Sequence, residues 1–362
     1  MKTIKLTEND IRMAVKNAVT RILRESADEV HSSIMVEKEN EIEALVKDIE
    51  KQWKIVNSTQ RPVNTGTFGL EGVGRNVGEV REYRFMVSSE LTKPLGISDN
   101  FLMEVTVNNY ILPEDQALQY FGHAERSTGG SSYGGDEFVR FNKSTLKFKK
   151  SRIDLSVPAI NGELQLRGLY STLYHELNHA ASMLNISKKA NEKNNKTLIG
   201  KNFFTAQNPR SATEFRHAHT AGALNPSPGG EFIARMKFGR DYENFRAANF
   251  ILYGLWEITE LNARAEEMYG ELQHANITED QFETFYTNSS LCHNIQLFRE
   301  LLNNIMNVPV ESSLWEYIGH MIHEKTPGRT KKRFGLRTEE LIKKLYNKGM
   351  RVAKLYFERH RQ

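Results

Sequence analysis

The sequence predicts an α+β fold, and three observations carry that reading. Alternating apolar and polar segments broken by glycine are confined to residues 57–160, an amphipathic helical period runs through 166–184, and from Glu231 onward the pattern is almost wholly helical. Sheet-forming and helix-forming stretches are thus segregated along the chain, unlike the regular alternation of a doubly wound fold.

The elements follow in order. Residues 4–25 place Ile11, Val15, Ala18, Ile22 and Leu23 at helical spacing behind Thr7 and Asp10, a variant of the capping box. A second helix is expected over about 34–56, with Ile42, Leu45, Val46, Ile49, Trp53 and Val56 on one stripe. Strands are expected at Glu79–Val87, Phe101–Asn108, Glu137–Phe141, Leu146–Lys149 and Ile153–Val157. The Ser/Gly-rich stretch Ser127–Gly135 reads as a surface loop, since no Lys-Ser ending makes it a phosphate cradle. Leu166, Leu169, Tyr170, Leu173, Tyr174 and Leu177 then recur at three- and four-residue steps. Later helices are expected over 231–238, 241–272, 279–305, 312–324 and 338–360, and no internal repeat is present. Three parts are expected: a helical arm over 1–56, a core over 57–310 and a basic helical extension over 311–362.

Composition narrows the chemistry. The chain has 39% hydrophobic and 26% charged residues, ordinary for a globular protein, and no apolar run long enough to span a membrane. Met1–Asp10 lacks the apolar block of a secretory signal, so synthesis in the cytoplasm is expected. Cys292 is the single cysteine, which excludes an intrachain disulfide and a thiolate-rich metal site. From Lys325 to the end there are 13 Lys and Arg against 3 Glu, so against a total of +4 the remainder of the chain is net negative by six.

The strongest chemical signal is His-Glu-Leu-Asn-His at 175–179. One helical turn separates His175 from His179 on the same face, so both imidazoles reach one tetrahedral metal ion and Glu176 stands beside them as a general base. Two histidines leave zinc one protein donor short. Continuation of the motif by a glycine and a third histidine is ruled out, because Ser182 and Asn185 hold those positions. Donors elsewhere are Glu257, Glu260, Glu266 and Glu267 within 256–270, and His217 or His219 in Phe-Arg-His-Ala-His-Thr.

With Glu260 followed three residues later by Ala263, about eighty residues past the motif, the chain resembles the gluzincin-type zinc metallopeptidases. The resemblance implies a zincin-like core, Glu260 as third ligand and Ala263 as the small residue that lets two helices approach. It departs from the family at Arg264, where thermolysin-like members carry an Asp that holds a ligand histidine. Glu260, Arg264 and Glu267 also share one helix face, which an ion-pair ladder would explain equally. A donor to the reacting carbonyl oxygen is expected from His217, His219, Tyr253 or Tyr269.

Ile4 to Arg12 and Ala18 to Glu25 resemble N-terminal segments of virion and cargo proteins of crAss-like phages, which implies a packaging segment and a virion-associated protein made in the host cytoplasm. The functional expectation is zinc-dependent peptide-bond hydrolysis, with a protein or peptide substrate that includes virion or cargo proteins. Two alternatives stay open: a structural or cargo protein that keeps the scaffold without activity, and a zinc amidase acting on cell-wall peptide. The basic C-terminal block, Lys331, Lys332 and Arg333 among it, offers a nucleic-acid contact that no recognised motif supports.

Overall fold

A computed structural model describes residues 38–69, 74–87, 101–114, 116, 129–133, 151–192, 223–224 and 227–360. The expected helix at 4–25, the expected strands at Glu137–Phe141 and Leu146–Lys149, and His217 and His219 lie outside the described residues.

The fold is α+β, with a mixed sheet first and a mostly helical second half. Helix α1 (Glu39–Thr59) precedes strands β1 (Asn64–Gly69), β2 (Asn76–Val87), β3 (Phe101–Ile111), β4 (Gly129–Tyr133), β5 (Ser151–Ile160) and β6 (Glu163–Leu164). The strand order is β1-β2-β3-β5-β4, with β6 also on β5; β3 and β5 run parallel and the other pairs antiparallel. Period-two alternation sends Met103, Val105 and Val107 of β3 and Ile153, Leu155 and Val157 of β5 into the core. The stripe expected on α1 is buried in the same core.

One expectation about the sheet is corrected. Gly129–Tyr133, expected within a surface loop, forms β4 by pairing with Arg152–Ser156. Glycine and serine have low strand propensity, so it is the open edge of β5 that recruits this segment, a tertiary cause that local pattern does not carry. Strand β5 is consequently interior, and β4 and β6 line its outer side.

The chain leaves the sheet through Asn161 and Gly162, both at positive φ, the conformation of a two-residue hairpin turn. Gly162 accepts a 2.7 Å hydrogen bond from Trp53 Nε1 at its carbonyl and donates a 2.9 Å bond to Asn109 Oδ1. Asn161 Oδ1 accepts from the Leu112 amide at 2.8 Å. These contacts fix where α2 (Leu166–Glu192), the motif helix, begins.

The second half consists of α3 (Pro228–Phe238), α4 (Tyr242–Gly254), α5 (Ile258–Ala275), α6 (Phe282–Thr287), α7 (Ser290–Met306), α8 (Ser313–Ile322) and α9 (Pro327–Arg359). The single helix expected over 241–272 is two, broken at Leu255–Glu257; a Cβ on Gly254 would lie 2.9 Å from the Phe298 ring, so glycine there admits α7. The helix expected over 279–305 is likewise divided, with Ser289 accepting from the Cys292 amide as N-cap of α7. Helix α9 starts eleven residues before its expected N-terminus, at a proline in its first turn, because Thr330, Phe334 and Thr338 continue the buried stripe of Leu341 and Leu345. Side chains of α1 and α9, from the expected arm and extension, belong to the same hydrophobic cluster as the sheet and the motif helix.

Candidate metal centre

Helices α2 and α5 pack antiparallel, as their side-chain register shows. Tyr174 bonds Gln273 at 2.7 Å, His175 meets Glu267, and His179 meets Glu260. Close approach depends on Gly270, where a Cβ would stand 2.6 Å from the Tyr170 carbonyl oxygen. Ala263, the small residue implied by the resemblance, is fully buried, and Gly270 is a second small residue at the crossing.

The crossing brings together His175, His179 and Glu260, with one ligand atom from each lying within 4.8 Å of the others. His175 Nε2 and His179 Nε2 are 3.1 Å apart; Glu260 Oε2 is 3.6 Å from the first and Oε1 is 3.3 Å from the second. In a tetrahedral zinc site with bonds near 2.0–2.1 Å, neighbouring donor atoms stand about 3.3 Å apart. The spacing and the donor set, two imidazoles and a carboxylate, therefore fit one zinc ion. Both imidazole side chains are largely covered, at 14% and 12% exposure, and the Glu260 side chain at 7%.

Electrostatics support the same arrangement. Burial opposes ionisation of Glu260, but His179 and His175, with Arg264 behind them, outweigh it and hold the carboxyl far below the usual range. Burial likewise favours neutral His179, and the Glu260 carboxylate more than offsets it. Glu260 occupies the first turn of α5, where the helix dipole also favours a negative charge. Glu176 is 4% exposed, and burial raises its carboxyl above the usual range despite the two imidazoles.

His175 Nδ1 lies 2.7 Å from Glu267 Oε1. A carboxylate only accepts, so Nδ1 carries the proton and the Nε2 lone pair is left for a metal. Glu267 thus fills the role left open at Arg264, seven residues after Glu260 rather than four. Helical periodicity returns to the same face after seven residues, and that spacing was the available signal.

Of the expected carbonyl-oxygen donors, the structure brings Tyr253 to the site. It is the penultimate residue of α4, hydrogen-bonded to Glu260, and burial strongly raises its hydroxyl. Tyr269 is a correction: nine residues beyond Glu260, about 13 Å along the helix axis, it donates a 3.0 Å hydrogen bond to Glu39 Oε2. Arg264 binds neither histidine; its guanidinium sits 5.7 and 5.8 Å from the Phe250 and Phe298 ring centroids, and its buried Nε has no hydrogen-bond partner among the described residues. Glu257 and Glu266 stay outside the cluster; Glu266 is buried at 2% exposure, and its Oε2 has no hydrogen-bond partner among the described residues.

Comparison with protein-family models, curated proteins and solved structures finds no significant match. The centre therefore stands on its own geometry.

Proposed function

We propose that the chain is a zinc-dependent peptide-bond hydrolase with a zincin-like core. The observation that carries the reading is the convergence of His175, His179 and Glu260, from helices 81 residues apart between His179 and Glu260, with Glu176 buried beside them and Glu267 fixing the tautomer of His175. Bound zinc would supply Lewis acidity, polarising the scissile carbonyl and easing deprotonation of water. Glu176, its basicity raised by burial, takes the proton from the attacking water and delivers it to the leaving amine. The Tyr253 hydroxyl, which donates to Glu260 in the free chain, turns that proton toward negative charge developing on the carbonyl oxygen when Glu260 is engaged as a ligand. Helix α2 runs alongside β4, the edge strand among the described residues, whose outer side suits an extended peptide added in strand register.

The test joins metal content to cleavage. Elemental analysis of the purified chain should find one zinc per molecule, and a peptide library should be cut. Glu176→Gln should keep zinc and lose cleavage, whereas His179→Ala should lose both. Absence of stoichiometric zinc would favour a structural protein that keeps only the helix pair, and a fully active Glu176→Gln variant would remove Glu176 from the mechanism.

A further inference from the structure

We propose that the solvent face of α9 is a docking surface for the phosphate backbone of double-stranded nucleic acid. The opposite face of the helix, including Phe334, Leu341, Leu345, Val352 and Tyr356, is buried in the core. Helical spacing gathers Arg329, Lys332, Arg333, Arg337 and Lys343 onto the exposed side, a stripe about 21 Å long from first to last.

The placement of these charges is the informative part. No acidic residue occupies the first turn of α9, and the first acidic side chain of the helix is Glu339. Positive charge near a helix N-terminus opposes the macrodipole, so the local structure is not improved by it. Arg337 is held by Glu340 at 2.8 Å, whereas Arg329, Lys332, Arg333 and Lys343 form no ion pair among the described residues. The chain outside 325–362 is net negative, so the stripe is a local positive field rather than part of a basic surface.

Geometry selects the partner. A duplex presents one negative charge per about 1.7 Å of axis, a linear array that Arg329, Arg333 and Arg337 follow at one-turn spacing with Lys332 beside them, while Lys343 lies beyond exposed Glu340; arginine pairs bidentately with phosphate. Because only one side of α9 is free, the helix lies across the backbone and does not enter a groove, so binding is independent of sequence. Single strands are held by stacking, but the exposed ring of α9, Tyr346, is set edge-on to Tyr286 beside the stripe. A bilayer surface requires an apolar face to insert, and here that face is spent on the core, leaving Leu336 exposed at 64%.

The experiment uses the full chain and a fluorescein-labelled 30-base-pair duplex of mixed sequence, read by anisotropy between about 50 and 200 mM salt. Binding is expected at the low-salt end, with a log–log salt slope of about −4 for four to five neutralised phosphates. The variant Arg329→Gln/Lys332→Gln/Arg333→Gln should bind at least about tenfold more weakly and reduce the slope by about 3. Lys51→Gln/Lys54→Gln/Arg61→Gln, an equal charge loss at exposed positions on or just after α1, should bind as the parent does. No binding at 50 mM salt, or equal weakening by the two triple variants, overturns the proposal. Stripe-dependent binding to phosphatidylserine vesicles without duplex binding overturns it in favour of a lipid surface. All substituted side chains are solvent-exposed, and matched thermal melts establish that the variants are folded.

Discussion

His175 donates from Nδ1 to Glu267 at 2.7 Å, so a residue about two turns beyond His175's neighbour Glu260 on α5 decides which imidazole nitrogen faces the candidate metal position. Glu267→Ala frees the ring to adopt either tautomer and either rotation. Zinc affinity, measured by chelator competition, should fall by about 10–100-fold, with the secondary structure unchanged by circular dichroism. Unchanged affinity would mean that Glu267 only covers the site.

Tyr253→Phe removes one hydroxyl and keeps the ring. The expected result is full zinc occupancy with kcat lowered by about 10²-fold and KM nearly unchanged, because the hydroxyl acts on charge that develops in the transition state. Steady-state kinetics on any cleaved peptide separate the two parameters, and an effect confined to KM would place Tyr253 in substrate binding.

Gly270→Ala tests the crossing of α2 and α5. The added methyl would meet the Tyr170 carbonyl oxygen at 2.6 Å and the Tyr174 ring at 2.8 Å, so the helices must separate. A loss of about 1–3 kcal/mol in urea unfolding is expected, together with weaker zinc binding as the ligands spread. Gly328→Ala, at a position where nothing lies within 4 Å of the added atom, is the matched control.

Glu266 provides a pH test away from the metal. Burial raises its carboxyl to about 8, with the Lys348 charge opposing. Between the ordinary carboxylate range and that value the folded chain keeps a proton that the unfolded chain has released, so this group makes stability fall as pH rises through the window. Glu266→Gln abolishes the titration. Urea unfolding at pH 5.5 and 8 should show the parent losing on the order of 2–3 kcal/mol relative to the variant.

Much of the site was legible because it is local. His175, Glu176 and His179 sit on one turn of one helix, and periodicity alone aligned them. Glu260 required a likeness to known metallopeptidases, since its proximity to His179 arises from a helix crossing. The fold class followed from the segregation of period-two and helical patterns. Helix interruptions at Leu255–Glu257 and at Asn288–Ser289 were missed because apolar periodicity continues across both, and only the packing of Gly254 on Phe298 and the capping by Ser289 reveal them. Strand β4 was missed for the opposite reason: its pairing partner, not its own residues, makes it a strand.

Helix α5 has two clients. One side presents Glu260 and Glu267 to the histidines, while other residues along it pack on α9, where Tyr269 meets Tyr356 with ring centroids 5.5 Å apart. At the end of α9, Arg359 and His360 grip Glu39, the same carboxylate that receives the Tyr269 hydroxyl. The final helix is thus the back wall of the candidate metal centre, and removing the last thirty or so residues should disturb the grouping of His175, His179 and Glu260 although it deletes none of them.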